Sequence, residues 1–400
     1  MAALCAYFPF PFILSEYAYA VRYVKVLAPA KVNLALRVGA ARADGFHPLD
    51  TVFEALDIYE ELEAWADPSG ALSLEFAAGG LGADLPVDES NLAMRAALAL
   101  RSKGSEMLQE GRARQSEGKI SALAPESNEA FACKCSGSLY AGVPGARMRI
   151  TKRIPIAGGM AGGSADAAAA LVALNSLWEL GFTAAELAEI GSELGSDVPF
   201  ALLGGIARGT SRGEILEPVP SGDGAARRAF VMLTNPEGLS TPAVFREFDR
   251  LAQLDQPDNS RSCSPHAPAT ISPNAGHASC GAEATVQFAG DGGQQYPAST
   301  DRLVRAIMQG DHTGIAANMV NDLEAPAFSL RPDLGEIVAQ LRADGVGQAV
   351  ILSGSGPTIA VMCDPSAVDQ LADQLRQQFP QLAAVTALGA AHGARVIASA

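Results

Sequence analysis

No lysine follows position 152 in this chain of 400 residues; the six present stand at positions 25, 31, 103, 119, 134 and 152. Chemistry that needs an ammonium group must therefore draw on the first half. Basic residues are in deficit overall, 29 Lys and Arg against 44 Asp and Glu, for a formal charge of -15. This argues against general nucleic-acid binding, which needs basic surface opposite phosphates. It leaves room for a small polyanion, because a local nest of backbone N–H groups holds phosphate even on an acidic protein. The six cysteines, Cys5, Cys133, Cys135, Cys263, Cys280 and Cys363, are scattered. They form no framework of the kind found in short secreted chains, and reduced thiols in the cytoplasm are expected. Cys133-x-Cys135 has no second ligand pair at zinc spacing and the five histidines are dispersed, so no structural metal is expected. Long apolar runs are missing too. "MAALCAYFPFPFILSEYAYAVRYVKV" has no basic leader and is interrupted by Pro9, Pro11 and Glu16. It suits neither a signal peptide nor a spanning helix. Residues 1–24 are read as an extension, either docked or, the favoured reading, translated from upstream of the native start.

What is present is an α+β pattern. "VRYVKVLAPAKVNLALRVGA" reads as strand, tight turn, strand; Asp44-Gly45 marks a turn, and residues 56–77 add strand-like runs. "DESNLAMRAALAL" reads as a helix with Ser90 or Asn91 as its cap, and "FTAAELAEIGSEL" as another capped by Thr183. "VPFALLGGIARGTSRGEILEPV" suggests strands around a glycine-rich connection, "ARRAFVMLT" a strand, and "TPAVFREFDRLAQL" a helix. Helices resume after residue 300, then "GQAVILSGSGPTIAVMCD" reads as strand, glycine turn, strand, before a last helix and strand. Two segments lack periodicity: about 102–145, read as an insertion or long loop, and about 255–300, rich in Pro, Ser, Asn and Gly and read as disordered. The expected division is an N-terminal domain over 25–235 and a C-terminal domain over 236–400.

The densest signal is "KRIPIAGGMAGGSADAAAALVALNSLWEL", with Gly158, Gly159, Gly162 and Gly163 ahead of an alanine-rich helix expected from Ser164–Ala165. Glycines without β-carbons permit close approach and positive φ. A helix start leaves N–H groups unpaired and aligned with the helix dipole, an arrangement suited to phosphate. Met160 and Ala161 break the dinucleotide pattern G-x-G-x-x-G, and Ser164 stands where a Walker A loop needs lysine. A dinucleotide oxidoreductase is thereby disfavoured, and the loop must meet phosphate without a lysine of its own. Tight helix–strand packing is the alternative use of such glycines.

"PIAGGMAGGSADAA" resembles the second motif of the GHMP kinase superfamily, P-x-x-x-G-L/M-x-G-G/S-S-x-A. "APAKVNLALRV" over 28–38 resembles its N-terminal motif and "LSGSGPTIAVM" over 352–362 its C-terminal glycine motif. "ADGFHPLDTVF" and "LGSDVPFAL" resemble one branch, whose substrate is a cytidine-diphosphate-linked methylerythritol. The resemblance covers about 25–100, 147–250 and 300–398. It implies a two-domain fold, an N-terminal ribosomal-protein-S5-like α/β domain and a C-terminal ferredoxin-like α/β sandwich. It further implies a cytoplasmic, ATP-dependent kinase acting with Mg2+ on the 2-hydroxyl of that alcohol, in non-mevalonate isoprenoid precursor synthesis. A homoserine- or mevalonate-type kinase and a noncatalytic nucleotide sensor on the same fold are the rival readings. A monomer or homodimer without membrane or nucleic-acid partners is expected.

The resemblance also implies roles. Lys31 and Asp197 match the catalytic pair, a cation beside a carboxylate that accepts the hydroxyl proton. Pro155, Ile156, Ala157, Gly158, Gly159, Met160, Ala161, Gly162, Gly163, Ser164 and Ala165 match the ATP loop. Phe46 and His47 match an aromatic–His pair at the cytidine end, with Phe where Tyr is common. Phe53 and Phe245 match aromatics that sandwich cytosine, although phenylalanines are more often core. Asn33 matches a substrate-contacting asparagine, with a turn role as the alternative. Ser353, Gly354, Ser355, Gly356 and Thr358 match a turn that brings N–H groups to the diphosphate. Asp166 departs from the Asn or Ser of some relatives; it is either near metal or a favourable negative charge at the helix start.

Overall fold

The computed structural model describes residues 22–82, 84–116, 143–156, 158–221, 227–254 and 297–400, with side chains in the first helix described to residue 110. The N-terminal extension up to residue 21, most of the two aperiodic segments and Ala157 lie outside these residues.

Two sheets organise the chain. The first joins β12 (Arg395–Ser399), β1 (Tyr23–Val38), β2 (Leu49–Asp67), β4 (Gly145–Thr151) and β3 (Leu72–Phe76) in that order. β5 (Ile206–Ser211) pairs with the start of β2, β6 (Ile215–Pro218) pairs with β5, and the two-residue β8 (Val320–Asn321) lies parallel to β1. The second sheet is antiparallel, in the order β11 (Ala383–Leu388), β7 (Ala229–Thr234), β10 (Ile359–Cys363), β9 (Ala349–Leu352). The sheets do not divide at residue 236. β7 precedes that point yet belongs to the second sheet, while β8 and β12 return to the first.

The tight turn expected between the first two strands does not form: one continuous strand runs through Ala28-Pro29-Ala30 with a bulge. The β1–β2 register shifts between Pro29 and Ala30 and again between Asn33 and Ala35. Proline has no N–H to give a ladder and is tolerated at such irregularities. The Lys31 N–H leaves the sheet and donates to the Met160 carbonyl at 3.2 Å. The bulge thus ties β1 to the glycine loop and re-aims the side chains beyond it.

Helix α1 (Leu92–Ser116) is capped by Asn91, whose Oδ1 accepts the Ala93 N–H at 2.8 Å. It runs well past the expected boundary at 102, since Ser102–Ser116 contains no proline and only isolated glycines. Helix α2 (Gly162–Leu177) begins two residues earlier than expected. Its alanines and leucines are buried almost all round, the mark of a helix enclosed in a core. Helix α3 (Ala184–Leu194) carries the full capping box of Thr183 and Glu186. "VPFALL", read as strand, is the short helix α4 (Val198–Leu203) with Pro199 in its first turn, where the missing N–H does no harm.

Around the second sheet lie α5 (Thr241–Leu254), α8 (Glu324–Leu330), α9 (Pro332–Ala343) and α10 (Val368–Gln378), with α6 (Asp301–Gln309) and α7 (His312–Asn318) leading into β8. β11 has no sequence reading above; its "AAVTAL" is short and only weakly alternating. The two sheets are joined by the buried pair of Glu54 and Arg228, bonded twice at 2.7 and 2.8 Å. No helix among the described residues is long and apolar enough to cross a membrane.

Candidate active site

The sheets, the start of α2 and one face of α5 enclose a cleft of about 880 Å³. Residues two apart on a strand share a face, so Lys31 and Asn33 project together. Lys31 Nζ donates to Asn33 Oδ1 at 2.6 Å, and Asn33 Nδ2 donates to Thr51 Oγ1 at 2.8 Å. The Thr51 hydroxyl in turn donates to the Ala35 carbonyl at 2.7 Å. This chain of bonds spans the second register shift and fixes the ammonium. Lys31 is 6 % exposed, so it is no solvated surface charge. Asn33 lies in β1 and not in a turn; it holds Lys31 and lines the cleft.

Asp197 Oδ2 approaches Lys31 Nζ to 3.7 Å. It occupies the N-cap position of α4, yet its side chain makes no capping bond. The carboxylate is 32 % exposed on the cleft wall.

The glycine loop enters the cleft from β4. Ala161 adopts the left-handed conformation, φ 60°, and Ala165 N–H makes the first helical bond to its carbonyl at 2.9 Å. The N–H groups of Gly162, Gly163 and Ser164 come before that bond and have no place in the helical ladder. Ala165 does not share this capacity, since its N–H is spent and its side chain is buried. Met160 is also buried and serves through its carbonyl to Lys31. Pro155, Ile156, Gly158, Gly159, Ala161, Gly162, Gly163 and Ser164 line the cleft, and Ala157 lies outside the described residues.

The β9–β10 turn packs directly on this loop. Ser353 Oγ donates to the Gly159 carbonyl at 3.1 Å, and a β-carbon on Gly158 would stand 3.0 Å from Thr358 Oγ1. Gly354 and Ser355 of the turn line the cleft, while Ser353, Gly356 and Thr358 lie against the glycine loop. Gly159 has φ +71°, and a β-carbon there would overlap the Ser353 carbonyl oxygen. Gly159→Ala should therefore separate the two loops. A left-handed alanine costs about 1–2 kcal/mol before any overlap is counted. Denaturant unfolding should show at least that loss, and the KM for ATP should rise.

Sequence reading passed over the ion triad under α2. Lys152 Nζ lies 2.7 Å from Glu60 Oε1 and 2.6 Å from Asp166 Oδ2, all three side chains buried. A β-carbon on Gly162 would sit 3.1 Å from this ammonium, so the triad is the floor of the glycine loop. Burial pushes the Asp166 carboxyl up to about 7, against the pull of Lys152 and with the push of Glu60. Burial raises Glu60 also, offset in part by Lys152 and by the N–H groups of Arg153 and Ile154. Burial opposes the charge on Lys152, but its two carboxylates hold its pKa above the ordinary value. Asp166 lies beyond the first turn of α2 and pairs with Lys152, so it is not the helix-start charge considered above. The signal available in sequence was Lys152 itself, in a chain so short of lysine.

At the far end, Phe46 is 50 % exposed with the Arg212 guanidinium 5.2 Å from its ring centre. His47 is buried against Phe245, ring centres 4.9 Å apart. Phe53 does not pair with Phe245 as a stacking clamp. It is 2 % exposed, stacked on Phe200 at 4.9 Å, with Lys31 Nζ 5.5 Å from its ring centre. Asn33 and Phe53 are register partners across β1 and β2, so Phe53 packs beside Lys31 at the edge of the cleft.

This arrangement has relatives. The GHMP kinases N terminal domain matches residues 128–205 and the GHMP kinases C terminal domain residues 303–381. The 4-diphosphocytidyl-2-C-methyl-D-erythritol kinase of Streptomyces coelicolor is 37 % identical, covering 94 % of this chain and 99 % of its own length. That of Cutibacterium acnes is 36 % identical, covering 94 % and 97 %. A crystal structure of 4-(cytidine 5'-diphospho)-2C-methyl-D-erythritol kinase superposes with a TM-score of 0.56 at 25 % identity, over 92 % of this chain and 99 % of that one. Homoserine kinase from Cytophaga hutchinsonii reaches the same TM-score of 0.56 at 16 % identity, over 94 % of this chain and 97 % of its own, which speaks for the fold alone. With a lysine–aspartate pair beside an open helix start, and relatives alike over nearly their whole length, this chain belongs to the 4-diphosphocytidyl-2-C-methyl-D-erythritol kinase family of GHMP kinases.

Proposed function

We propose that Asp197 takes the proton from the 2-hydroxyl of 4-diphosphocytidyl-2-C-methyl-D-erythritol as that oxygen attacks the γ-phosphorus of ATP. The chain is an ATP-dependent kinase of this substrate, so the products are the 2-phosphate and ADP. The observation that carries the residue assignment is the Lys31–Asp197 approach of 3.7 Å on the cleft wall. A carboxylate positioned beside the acceptor hydroxyl can take its proton as the oxygen attacks. Lys31, held by Asn33, orients that carboxylate and offsets negative charge on the phosphoryl group in transit.

The N–H groups of Gly162, Gly163 and Ser164 would hold the nucleotide phosphates at the positive end of α2. The Gly354–Ser355 backbone would lie along the diphosphate of the acceptor, and Phe46, His47 and Phe245 would receive the cytosine. Among the described residues no three His, Cys, Asp or Glu side chains cluster as a metal cage. Mg2+ needs no such cage, since it is held by one or two carboxylates plus substrate phosphates. Ser164 offers an oxygen donor on the wall, and Mg2+ held there with the nucleotide phosphates would neutralise their charge. We further read the enzyme as cytoplasmic, a monomer or homodimer, without nucleic-acid or membrane partners.

The full chain should be incubated with ATP, Mg2+ and the cytidine-linked alcohol, and ADP and phosphorylated product followed by mass spectrometry. Equimolar ADP and monophosphorylated product are expected, with no turnover of homoserine or mevalonate. Folded, ATP-binding protein that forms no product would overturn the reading.

A further inference from the structure

Helix α5 makes two contacts with the cleft that no motif announces. Thr241, Phe245, Phe248 and Asp249 are spaced three and four apart, so they share one helix face. At one end of this face, Thr241 Oγ1 lies 2.7 Å from Ser355 Oγ in the β9–β10 turn. At the other, Asp249 Oδ1 lies 2.9 Å from His47 Nε2, across 202 residues of sequence. Between them, the Phe245 ring is tilted over His47 at 4.9 Å and the Phe248 ring meets it edge-on at 5.8 Å. One helix therefore holds the imidazole by two rings and a carboxylate.

The chemistry of that bond is one-sided. An ionised carboxylate only accepts, so Nε2 is the nitrogen that carries hydrogen. Nδ1 is then the ring position left to engage something else. His47 is 8 % exposed while its neighbour Phe46 is 50 % exposed, and both line the cleft. A ring so enclosed gives a directional contact only if its plane and its protonated nitrogen are both set.

We propose that Asp249 is a positioning residue for the cytidine end of the substrate, acting through His47. It sets the ring plane and keeps hydrogen on Nε2, so that Nδ1 meets the pyrimidine in one state. The proposal rests on the assignment of His47 to base recognition. Asp249 acts away from Lys31 and Asp197, so its loss weakens binding equally before and during phosphoryl transfer. That signature is a raised KM at unchanged kcat.

Steady-state kinetics on the full chain test this with Asp249→Ala, Asp249→Asn, Asp249→Glu, His47→Ala and the double variant His47→Ala/Asp249→Ala. Outer partners that orient a metal-ligating imidazole contribute about 10- to 100-fold to affinity, and a similar scale is expected for a ring oriented on a base. We expect Asp249→Ala to raise the KM for the cytidine-linked alcohol by that factor, with kcat within about threefold and the KM for ATP unmoved. Asp249→Asn, which can still accept from Nε2–H through its amide oxygen, should show the smaller rise, and Asp249→Glu should recover part of the loss. The double variant should be no worse than His47→Ala, as expected of two groups acting as one. Side-chain 15N shifts of His47 should lose their bias toward the Nε2–H form in Asp249→Ala. If His47→Ala raises the KM while Asp249→Ala and Asp249→Asn leave it normal, or if the two losses multiply, the role of Asp249 is overturned and that of His47 stands. If His47→Ala leaves the KM unchanged, the base-recognition assignment falls and takes this inference with it. Should Asp249→Ala fail to fold, Asp249→Asn and its 15N shifts decide alone.

Discussion

Replacing Asp197 by Asn should lower kcat by about 10²- to 10⁴-fold, the usual contribution of a positioned general base. The change preserves shape and removes the ability to accept a proton. It should leave the fold intact, because the Asp197 side chain makes no capping bond to α4. The KM for ATP should change little, since the N–H groups assigned to its phosphates lie at the start of α2, on a different element. What does change is the partner of Lys31. Its Nζ stays bonded to Asn33 Oδ1 at 2.6 Å but loses the charge of the carboxylate 3.7 Å away. Rapid-quench measurement of product formation isolates the chemical step. Turnover within a few-fold of the parent enzyme would remove Asp197 from the mechanism.

Lys152→Met should lower stability by about 3–5 kcal/mol, the effect of deleting one partner from a buried ionic group. The lysine neutralises two carboxylates, Glu60 and Asp166, that are 0 % and 4 % exposed. Methionine fills similar volume, so the loss is electrostatic rather than a cavity. Its dependence on pH follows from the raised acids. Burial lifts Asp166 to about 7 and moves Glu60 in the same direction. A folded-state pKa above the unfolded one means that the native form binds the proton more tightly. The stability gained from that proton is present at low pH and is lost as pH rises through the folded value. The parent protein should therefore lose some stability between about pH 4 and pH 7. Without the ammonium, both acids must be buried neutral, and the variant should lose stability more steeply over that range. Urea unfolding at pH 5 and pH 8 checks this: the gap between variant and parent should be wider at pH 8. A gap that is constant or narrower at pH 8 would show that the ammonium does not hold the two buried acids ionised. The glycine loop stands on this group, with Gly162 against the ammonium. A raised KM for ATP should accompany the loss.

Several parts of this molecule were legible without coordinates because their physics is local. The capping box at Thr183 and the cap at Asn91 depend on residues within one turn of each other. So does the glycine loop ahead of an alanine-rich helix, although its first turn begins at Gly162 rather than at Ser164. That shift matters chemically, since it moves the open N–H groups onto the glycines and removes Ala165 from them. Where local propensity was weak, the reading failed. "VPFALL" is apolar without a long period, and it becomes a helix because Asp197 and Pro199 start one. Pro29 looked like a turn, but pairing with β2 along its length absorbed it as a bulge.

The functional residues divide along the same line. Sequence alone, through the resemblance its motifs carry, pointed to the kinase class, a candidate phosphate loop and the pairing of Lys31 with Asp197 as catalytic candidates, because those residues sit in short motifs whose spacing is itself the constraint. Only the tertiary structure decided which candidates touch the cleft and which support it. Phe53 is stacked on Phe200 yet lines the cleft, while Ser353 and Thr358 are buried against the glycine loop. Asn33 became the holder of Lys31. Lys152, Glu60 and Asp249 entered the site from elsewhere in the chain, joined to it by ionic and hydrogen-bonded contacts between residues 14 to 202 positions apart. Such contacts depend on how strands pair and on which helix face turns inward, and no pattern along the chain records either.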